Sequence, residues 1–120
     1  MAAKFTELIV DAADTDALAT FWSAVLGWPR RDSYGGPVIE IGDPSGGHPT
    51  LVFVPVGDPK TVKNRIHIDV NPVGCEQAEE LERLLALGAT HVDVGQGEQS
   101  WVVLADPEGN EFCLLATRRD

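Results

Sequence analysis

The sequence is poor in the residues that mark several functional classes. It has only two cysteines, Cys75 and Cys113, so a disulfide framework is not expected, and a reducing compartment would keep both as thiols. Basic residues are also few, since 9 Lys and Arg stand against 19 Asp and Glu, which gives a formal net charge of −10. Because such a chain repels phosphate backbones and anionic lipid, we expect neither nucleic acid nor a membrane surface as a partner.

Long hydrophobic runs and a recognisable targeting segment are lacking as well. No apolar run approaches the roughly 18–20 residues that a membrane-spanning helix needs. The N-terminal stretch MAAKFTELIVDAAD has no hydrophobic segment followed by a signal-peptide cleavage site. These two absences predict a cytoplasmic protein.

The remaining composition is that of an ordinary globular protein. The chain has 120 residues, of which 43% are hydrophobic and 23% charged. A chain of this length and composition buries enough surface to fold without disulfides or structural metals. We therefore expect a single domain over residues 1–120.

An internal repeat organises this domain. Residues 7–28 and residues 67–89 each read as a short β-rich run, a polar break, an amphipathic helix and a Leu-Gly pair. Residues 38–54 and residues 102–115 each read as a strand, an Asp-Pro-x-Gly turn and a second strand. The copies are offset by about 60 residues, half the chain. The repeat predicts two βαβββ modules, about 1–57 and about 65–120, joined by a linker at about 58–64.

Helical periodicity and end signals place one helix in each module. Asp14 is a predicted N-cap, and Gly27 and Gly88 are predicted C-terminal caps. The apolar stripes of the two helices consist of Leu18, Phe21, Trp22, Val25 and Leu26, and of Ala78, Leu81, Leu84 and Leu85.

Alternating apolar residues predict the strands. They cover about 4–10, 37–42, 50–56, 65–70, 100–105 and 111–116, with one further strand possible at each of 30–34 and 91–94. The fold class is α+β, a mixed sheet of about eight strands with helices on its outer face.

Alternation also divides side chains between the two faces of the sheet. Glu7 and His67 occupy matching places in the two repeats, on the face opposite the helices. The remaining residues predicted on that face are Ile9, Val54, Asp69, Trp101, Val103, Cys113 and Leu115, with Val54 as the counterpart of Cys113.

The blocks DAADTDALATFWSAVLGW, KNRIHIDV, ALGAT and WVVLADPEGNEFCLL carry a resemblance to a known family. The chain resembles the vicinal oxygen chelate superfamily, which contains glyoxalase I, bleomycin-resistance proteins and extradiol dioxygenases. It is similar to the small glyoxalase-like domain proteins common in actinobacteria. The resemblance implies the fold of the glyoxalase, bleomycin-resistance and dihydroxybiphenyl dioxygenase group, in which two βαβββ modules form a U-shaped mixed sheet around a cleft.

The resemblance also implies where a metal would bind. Metal-dependent members place ligands on the first and last strands of each module, which corresponds here to Glu7, Val54, His67 and Cys113. Because valine has no ligand atom, this set is incomplete, and we expect no metal. If a metal is present, Glu7, His67 and Cys113 are the predicted ligands, a set that favours zinc.

Two interpretations of the polar residues remain open. Glu7 and His67 could form a catalytic acid/base pair, because burial and a charged partner both change a carboxyl pKa. They could equally be polar groups in a ligand-binding cavity. Cys113 could be a thiolate ligand, a nucleophile or a small buried residue.

The linker and one tryptophan add two further hypotheses. Lys60, Lys63 and Arg65 form the only basic cluster in the sequence, which is either a solvated linker or a rim that attracts anions. Trp101 could stack on a planar ligand or merely pack at the rim.

Two functions therefore remain. The first is a metal-free protein that binds a small organic molecule, with Ile9, Val54, Asp69, Trp101 and Cys113 as binding residues. The second is a lyase, isomerase or dioxygenase that uses Glu7 and His67, with or without zinc or another divalent metal. A homodimer is expected in either case, because edge strands need covering and members of the family commonly pair.

Overall fold

The computed structural model describes residues 1–93, 95, 97 and 99–120, apart from the side chains of residues 32 and 33. The chain divides into two compact units, Met1–Pro59 and Lys60–Asp120, which we call module one and module two. Each module contains a helix and a four-stranded mixed sheet, so the predicted α+β class is confirmed.

Module one follows the predicted order of elements. It contains β1 (Glu7–Ala12), α1 (Thr15–Leu26), β2 (Arg30–Gly35), β3 (Val38–Ile41) and β4 (Thr50–Pro55). The strands lie in the order β1-β4-β3-β2, with β1 parallel to β4 and the other neighbours antiparallel. The strand considered possible at 30–34 therefore forms.

Module two repeats this topology. It contains β5 (Asp69–Val70), α2 (Gln77–Leu87), β6 (Thr90–His91), β7 (Val102–Ala105) and β8 (Glu111–Leu114). The strands lie in the order β5-β8-β7-β6, and only β5 and β8 are parallel. The strand considered possible at 91–94 is displaced to Thr90–His91, and Val94 lies outside the described residues.

The helix ends agree with the sequence signals. The Asp14 side chain accepts a hydrogen bond from the backbone N–H of Ala17 at 3.0 Å, which satisfies one of the free donors of the first turn of α1. Gly27 and Gly88 both adopt left-handed conformations, with φ of 68° and 119°. A residue without a Cβ adopts this conformation at little cost, which explains why each helix stops there.

The core of each module lies between its helix and one face of its sheet. Leu18, Phe21 and Trp22 of α1 are buried, as are Ile41 and Phe53 of β3 and β4. In module two the fully buried side chains include Leu84, Leu104, Phe112 and Leu114. Trp22 is thus a core residue, and the other face of each sheet remains for polar side chains.

The predicted strand at 65–70 is wrong in its first part. Only Asp69–Val70 pairs as a strand, and the backbone bond from Cys113 N–H to the Ile68 carbonyl at 2.9 Å extends this pairing by one residue. In the chain before it, the backbone N–H of Asn64 donates to the Glu111 side chain at 2.8 Å instead of to a neighbouring strand. His67 therefore precedes β5 instead of lying within it.

Among the described residues, neither helix is long and apolar enough to cross a membrane.

Candidate functional site

Module two contains a pocket on the face of its sheet opposite α2. Its volume is about 360 Å³. The pocket combines apolar walls with four ionisable side chains besides a cysteine. The lining residues are Lys63, His67, Asp69, Trp101, Val103, Glu111, Cys113 and Leu115.

Strand pairing explains why these residues meet. Cys113 of β8 lies between Asp69 of β5 and Val103 of β7 in the register. Residues that are direct partners in neighbouring strands point to the same face, so these three side chains form a row across the sheet. Glu111 and Leu115 lie two residues before and after Cys113 and therefore share its face. The predicted alternation of the last strand is confirmed by this arrangement.

His67, Asp69 and Cys113 form a compact group at one end of this row. Their potential ligand atoms all lie within 4.8 Å of one another, and His67 Nε2 is 3.7 Å from Asp69 Oδ1. The His67 and Asp69 side chains are 46% and 49% exposed, whereas Cys113 is only 8% exposed. The group therefore presents an imidazole and a carboxylate to solvent above a buried thiol.

The environment of Cys113 keeps its thiol protonated. Burial raises the pKa of the Cys113 thiol, and the charge of Asp69 and a hydrogen bond to Asp69 raise this pKa further. Lys63 acts in the opposite direction but more weakly. Because the thiolate is the nucleophilic form of cysteine, this arrangement disfavours nucleophilic catalysis by Cys113.

Glu111 was not among the residues that the sequence singled out. Its carboxylate is 9% exposed and binds the chain that leads into module two. Lys60 Nζ lies 2.8 Å from Glu111 Oε2, and the backbone N–H of Asn64 donates to Oε1 at 2.8 Å. Burial by itself would raise the pKa of Glu111, but these hydrogen bonds and the Lys60 charge together lower it. Glu111 is therefore a buried anion with its own counter-charge.

Alternation could have identified Glu111, since it lies two residues from Cys113 and so shares its face. The missing information was its partner, because nothing local in the sequence shows that Lys60 and Asn64 return to β8.

The counterpart of Cys113 in module one is Val52, not Val54. The register pairs Ile9 with Val52 and Asp69 with Cys113 in equivalent parallel pairs. Val54 instead pairs with Asp11, two residues further along. The prediction that Val54 is the counterpart of Cys113 was therefore wrong, because the pairing of the last strand with the first fixes the correspondence at Val52. Valine at either position offers no metal ligand.

The remaining residues predicted for the site lie in module one. Glu7 is half-buried on β1, and its carboxylate accepts a hydrogen bond from the Tyr34 hydroxyl. This bond, followed by minor burial and the charges of Glu7 and Glu40, raises the pKa of Tyr34. Ile9 is 49% exposed, and Val54 is half-buried. The assignment of Glu7, Ile9 and Val54 to a ligand site stays a prediction.

A second polar contact accompanies Glu7 in module one. Glu40 is buried, and Thr50 Oγ1 donates to its Oε2 at 2.6 Å. Glu40 pairs with Val52 across β3 and β4, so it lies on the same face as Val52 and Thr50. No sequence signal distinguished this glutamate from the exposed ones.

Among the described residues, His67, Asp69 and Cys113 form the group whose potential ligand atoms lie close enough together to hold a metal ion. Zinc would require the Cys113 thiolate, which burial and Asp69 disfavour in the metal-free protein and which a bound zinc ion would itself favour. In module one, the positions equivalent to Asp69 and Cys113 hold Ile9 and Val52, which have no donors.

Comparison with known proteins identifies the class of this fold. Solved structures with this fold superimpose on most of the chain. A glyoxalase/bleomycin resistance protein/dioxygenase family enzyme from Burkholderia phytofirmans PsJN is 18% identical, with a TM-score of 0.67 and coverage of 93% of this chain and 97% of that one.

A second similar structure is the genomically encoded fosfomycin resistance protein FosX from Listeria monocytogenes. It is 18% identical, with a TM-score of 0.69 and coverage of 98% of this chain and 93% of that one. A mutant of FosX was solved with Mn(II) and 1S,2S-dihydroxypropylphosphonic acid, and its TM-score is 0.68 at 18% identity, covering 97% of this chain and 91% of that one. At such identities these likenesses show the fold alone.

A family model settles the membership. The model of the glyoxalase-like domain matches residues 7–115, so the chain belongs to the glyoxalase-like domain family. No curated protein matches the sequence.

Proposed function

We propose that this protein binds a small organic molecule in the pocket of module two and needs no resident metal to do so. The pocket itself is the observation that carries this proposal. Its volume of about 360 Å³ lies within the range of ligand sites, which is about 300–1,000 Å³. Its walls combine apolar side chains with a few polar groups, which is the usual composition of a site for an organic ligand.

The state of Cys113 supports the metal-free form of the proposal. A protonated thiol hydrogen-bonded to Asp69 is a small, neutral wall of the pocket. His67 and Asp69 are left to donate and accept hydrogen bonds from a ligand. In this arrangement His67 and Asp69 contact the ligand and Cys113 forms part of the wall, so no thiolate is needed.

The first experiment looks for a ligand and a metal together. The protein is purified without chelator and without a metal-affinity tag, then analysed by native mass spectrometry and by elemental analysis. We expect less than stoichiometric metal. One equivalent of zinc that resists dialysis and is lost in His67→Ala would overturn the metal-free proposal.

The second experiment tests the pocket with defined probes. Binding of 2-naphthoate, 2-naphthylmethanol and 2-naphthylmethylammonium is followed by ligand-observed NMR. We expect at least one probe to bind, and Leu115→Trp to weaken it at least about tenfold by filling the pocket. The matched control is Leu87→Trp, because Leu87 lies exposed on α2 and does not line the pocket. If no probe binds up to its solubility limit, or if both variants bind equally, the proposed site is wrong.

The second candidate function is an enzyme, a lyase, isomerase or dioxygenase of the glyoxalase-like kind. The observation that favours it is the approach of His67 Nε2 to Asp69 Oδ1 at 3.7 Å, since a carboxylate near an imidazole can assist proton transfer. FosX, one of the similar structures, was solved with Mn(II). Calorimetric titration with zinc and with manganese discriminates this candidate from the first, because tight stoichiometric binding would favour the metal-dependent enzyme.

We also propose that the protein forms a homodimer. Within each described sheet, β1 and β5 pair with a strand on one side only, and the exposed apolar residues Phe5, Ile9 and Ile66 lie in or near them. Covering such edges with a second copy is a common solution. Light scattering at micromolar concentration should give twice the chain mass of 12.9 kDa, and a value equal to that mass would refute the dimer.

A further inference from the structure

We infer that the ligand of this pocket is an organic anion with a planar apolar group, and that Lys63 is the residue that recognises its charge. The inference rests on the proposed function, because it presumes that a small molecule occupies the pocket of module two. It adds the chemical class of that molecule and the residue that selects it.

The position of Lys63 is set by the contacts of its neighbours. Glu111 Oε1 accepts from the backbone N–H of Asn64, and Glu111 Oε2 binds Lys60, both at 2.8 Å. Asn64 Nδ2 also lies 3.5 Å from Asn110 Oδ1. The segment 60–64 is therefore anchored to β8 on both sides of Lys63, and this anchoring brings Lys63 to the pocket wall.

Lys63 is the lysine of the pocket lining, and it forms no ion pair among the described contacts. The Glu111 carboxylate is already compensated by Lys60 and by the N–H of Asn64. Asp69 lies 3.7 Å from His67, is half-exposed and contributes a negative charge beside Cys113. Lys63, by contrast, makes one long hydrogen bond among the described contacts, to the Asn64 carbonyl at 3.4 Å.

The net charge of the chain does not oppose this assignment at short range. At physiological ionic strength, charges farther apart than about 8 Å are largely screened. An anion inside the pocket therefore responds mainly to the groups that line it. A charge-assisted hydrogen bond from an ammonium group to a carboxylate is among the stronger polar contacts available to a ligand.

The apolar part of the pocket selects the rest of the ligand. Trp101 lines the pocket and is 36% exposed, so part of its indole is accessible to a ligand. Val103 and Leu115 complete this wall with aliphatic side chains. A flat aromatic or conjugated group can stack on the indole while its charged end extends toward Lys63.

The three naphthalene probes test the inference directly, because they differ mainly in charge. We expect 2-naphthoate to bind at least about tenfold more tightly than 2-naphthylmethanol, and 2-naphthylmethylammonium to bind most weakly. Lys63→Gln should abolish the preference for the anion, and Lys63→Arg should retain it. Arg119→Gln is the matched control, since it removes one exposed positive charge from the same module away from the pocket lining.

Rising NaCl concentration provides a measurement independent of mutation. Screening should weaken the binding of 2-naphthoate to the unmodified protein and leave 2-naphthylmethanol unaffected. Glu111→Gln should lower the affinity for 2-naphthoate more than that for 2-naphthylmethanol, because it releases the segment that positions Lys63. Lys63 lies on the surface, so its variants keep the test valid even if Glu111→Gln does not fold.

The outcomes separate this inference from the proposed function. If 2-naphthylmethanol or 2-naphthylmethylammonium binds as tightly as 2-naphthoate, the inference is overturned while binding in the pocket stands. If Lys63→Gln leaves the preference intact, the role of Lys63 is overturned. If none of the three probes binds, the proposed function and the inference fail together.

Discussion

The two modules have the same strand order and pairing but different chemistry on equivalent positions. In module one the equivalent pair on the first and last strands is Ile9 and Val52, and in module two it is Asp69 and Cys113. On the third strand of each module the polar residue lies in module one instead, where buried Glu40 corresponds to Val103 of module two. The repeat therefore preserves the backbone and the helix-side core, and leaves the opposite face free to diverge.

The physical reason lies in the period of a strand. Successive side chains point to opposite faces, so the residues that pack under the helix and those that line a pocket alternate along one segment. Core packing limits every second residue in volume and polarity. The intervening residues face away from the core and are not limited in this way, and in module two they line a pocket.

The largest expected effect compares the two cores at equivalent positions. Phe112→Ala in module two should reduce the free energy of unfolding by about 3–5 kcal/mol, and Leu51→Ala in module one by about 2–5 kcal/mol, since both side chains are buried. Urea denaturation followed by circular dichroism measures both values. Val62→Ala, at an exposed apolar residue, should change stability by less than about 0.5 kcal/mol. A loss below about 1 kcal/mol for Phe112→Ala would contradict the assigned core.

The second effect concerns the buried anion that only module two has at this position. Glu111→Gln should reduce stability by about 1–3 kcal/mol at neutral pH, because it removes the charge that Lys60 and Asn64 bind. Since folding lowers the pKa of Glu111, its stabilisation is present above the pKa of the unfolded chain and is lost as pH falls through the lowered folded pKa.

The difference between Glu111→Gln and the unmodified protein should therefore shrink in acid. Urea titrations at neutral and acidic pH measure it, with Glu82→Gln on the exposed face of α2 as the control. A difference that stays constant across that range would show that the loss is steric and not electrostatic.

The third effect compares the helix N-termini. Asp14→Ala should cost about 1 kcal/mol, because the Asp14 carboxylate caps the Ala17 N–H at 3.0 Å. Glu76→Ala should cost less, about 0.3–0.5 kcal/mol, because the side chain that it removes is exposed and so is its 3.3 Å ion pair with Arg118. Thermal unfolding ranks the two variants. The reverse order would mean that α2, not α1, depends on its cap.

The smallest expected effect on the free energy of unfolding is that of Asp69→Asn, because water screens this half-exposed carboxylate. In a Cys75→Ser background, Asp69→Asn should lower the pKa of the Cys113 thiol toward that of a free cysteine. Ultraviolet absorbance of the thiolate during an alkaline titration measures the change, and Asp93→Asn is the exposed control.

The linkage of Cys113 to stability has the opposite sign to that of Glu111. Because folding raises the pKa of this thiol, its contribution is intact below the unfolded pKa and is lost as pH rises through the raised folded pKa. Asp69→Asn should make this alkaline loss smaller. An unchanged thiol titration would show that burial alone, without Asp69, sets the pKa.

Much of the site was predictable from alternation. The placement of Cys113, Asp69, Trp101 and Val103 on one face required only the period of the strands and the repeat, and the four residues line one pocket. His67 was also predicted there, although within a longer strand than the structure contains. Glu111 and Glu40 were missed because a buried carboxylate depends on partners distant in sequence, such as Lys60, 51 residues away, and Thr50.

The sequence by itself determined the two βαβββ modules, the ends of both helices and the alternation of the strands, because these depend on local signals such as Asp14, Gly27 and Gly88. Only the tertiary structure decided which residues became partners. It paired Val52 with Ile9 and brought Lys60 and Asn64 into contact with Glu111. It also placed Asp69 beside the Cys113 thiol. Such pairs depend on register and on the path of a connecting segment, and neither of these is written in the neighbouring residues.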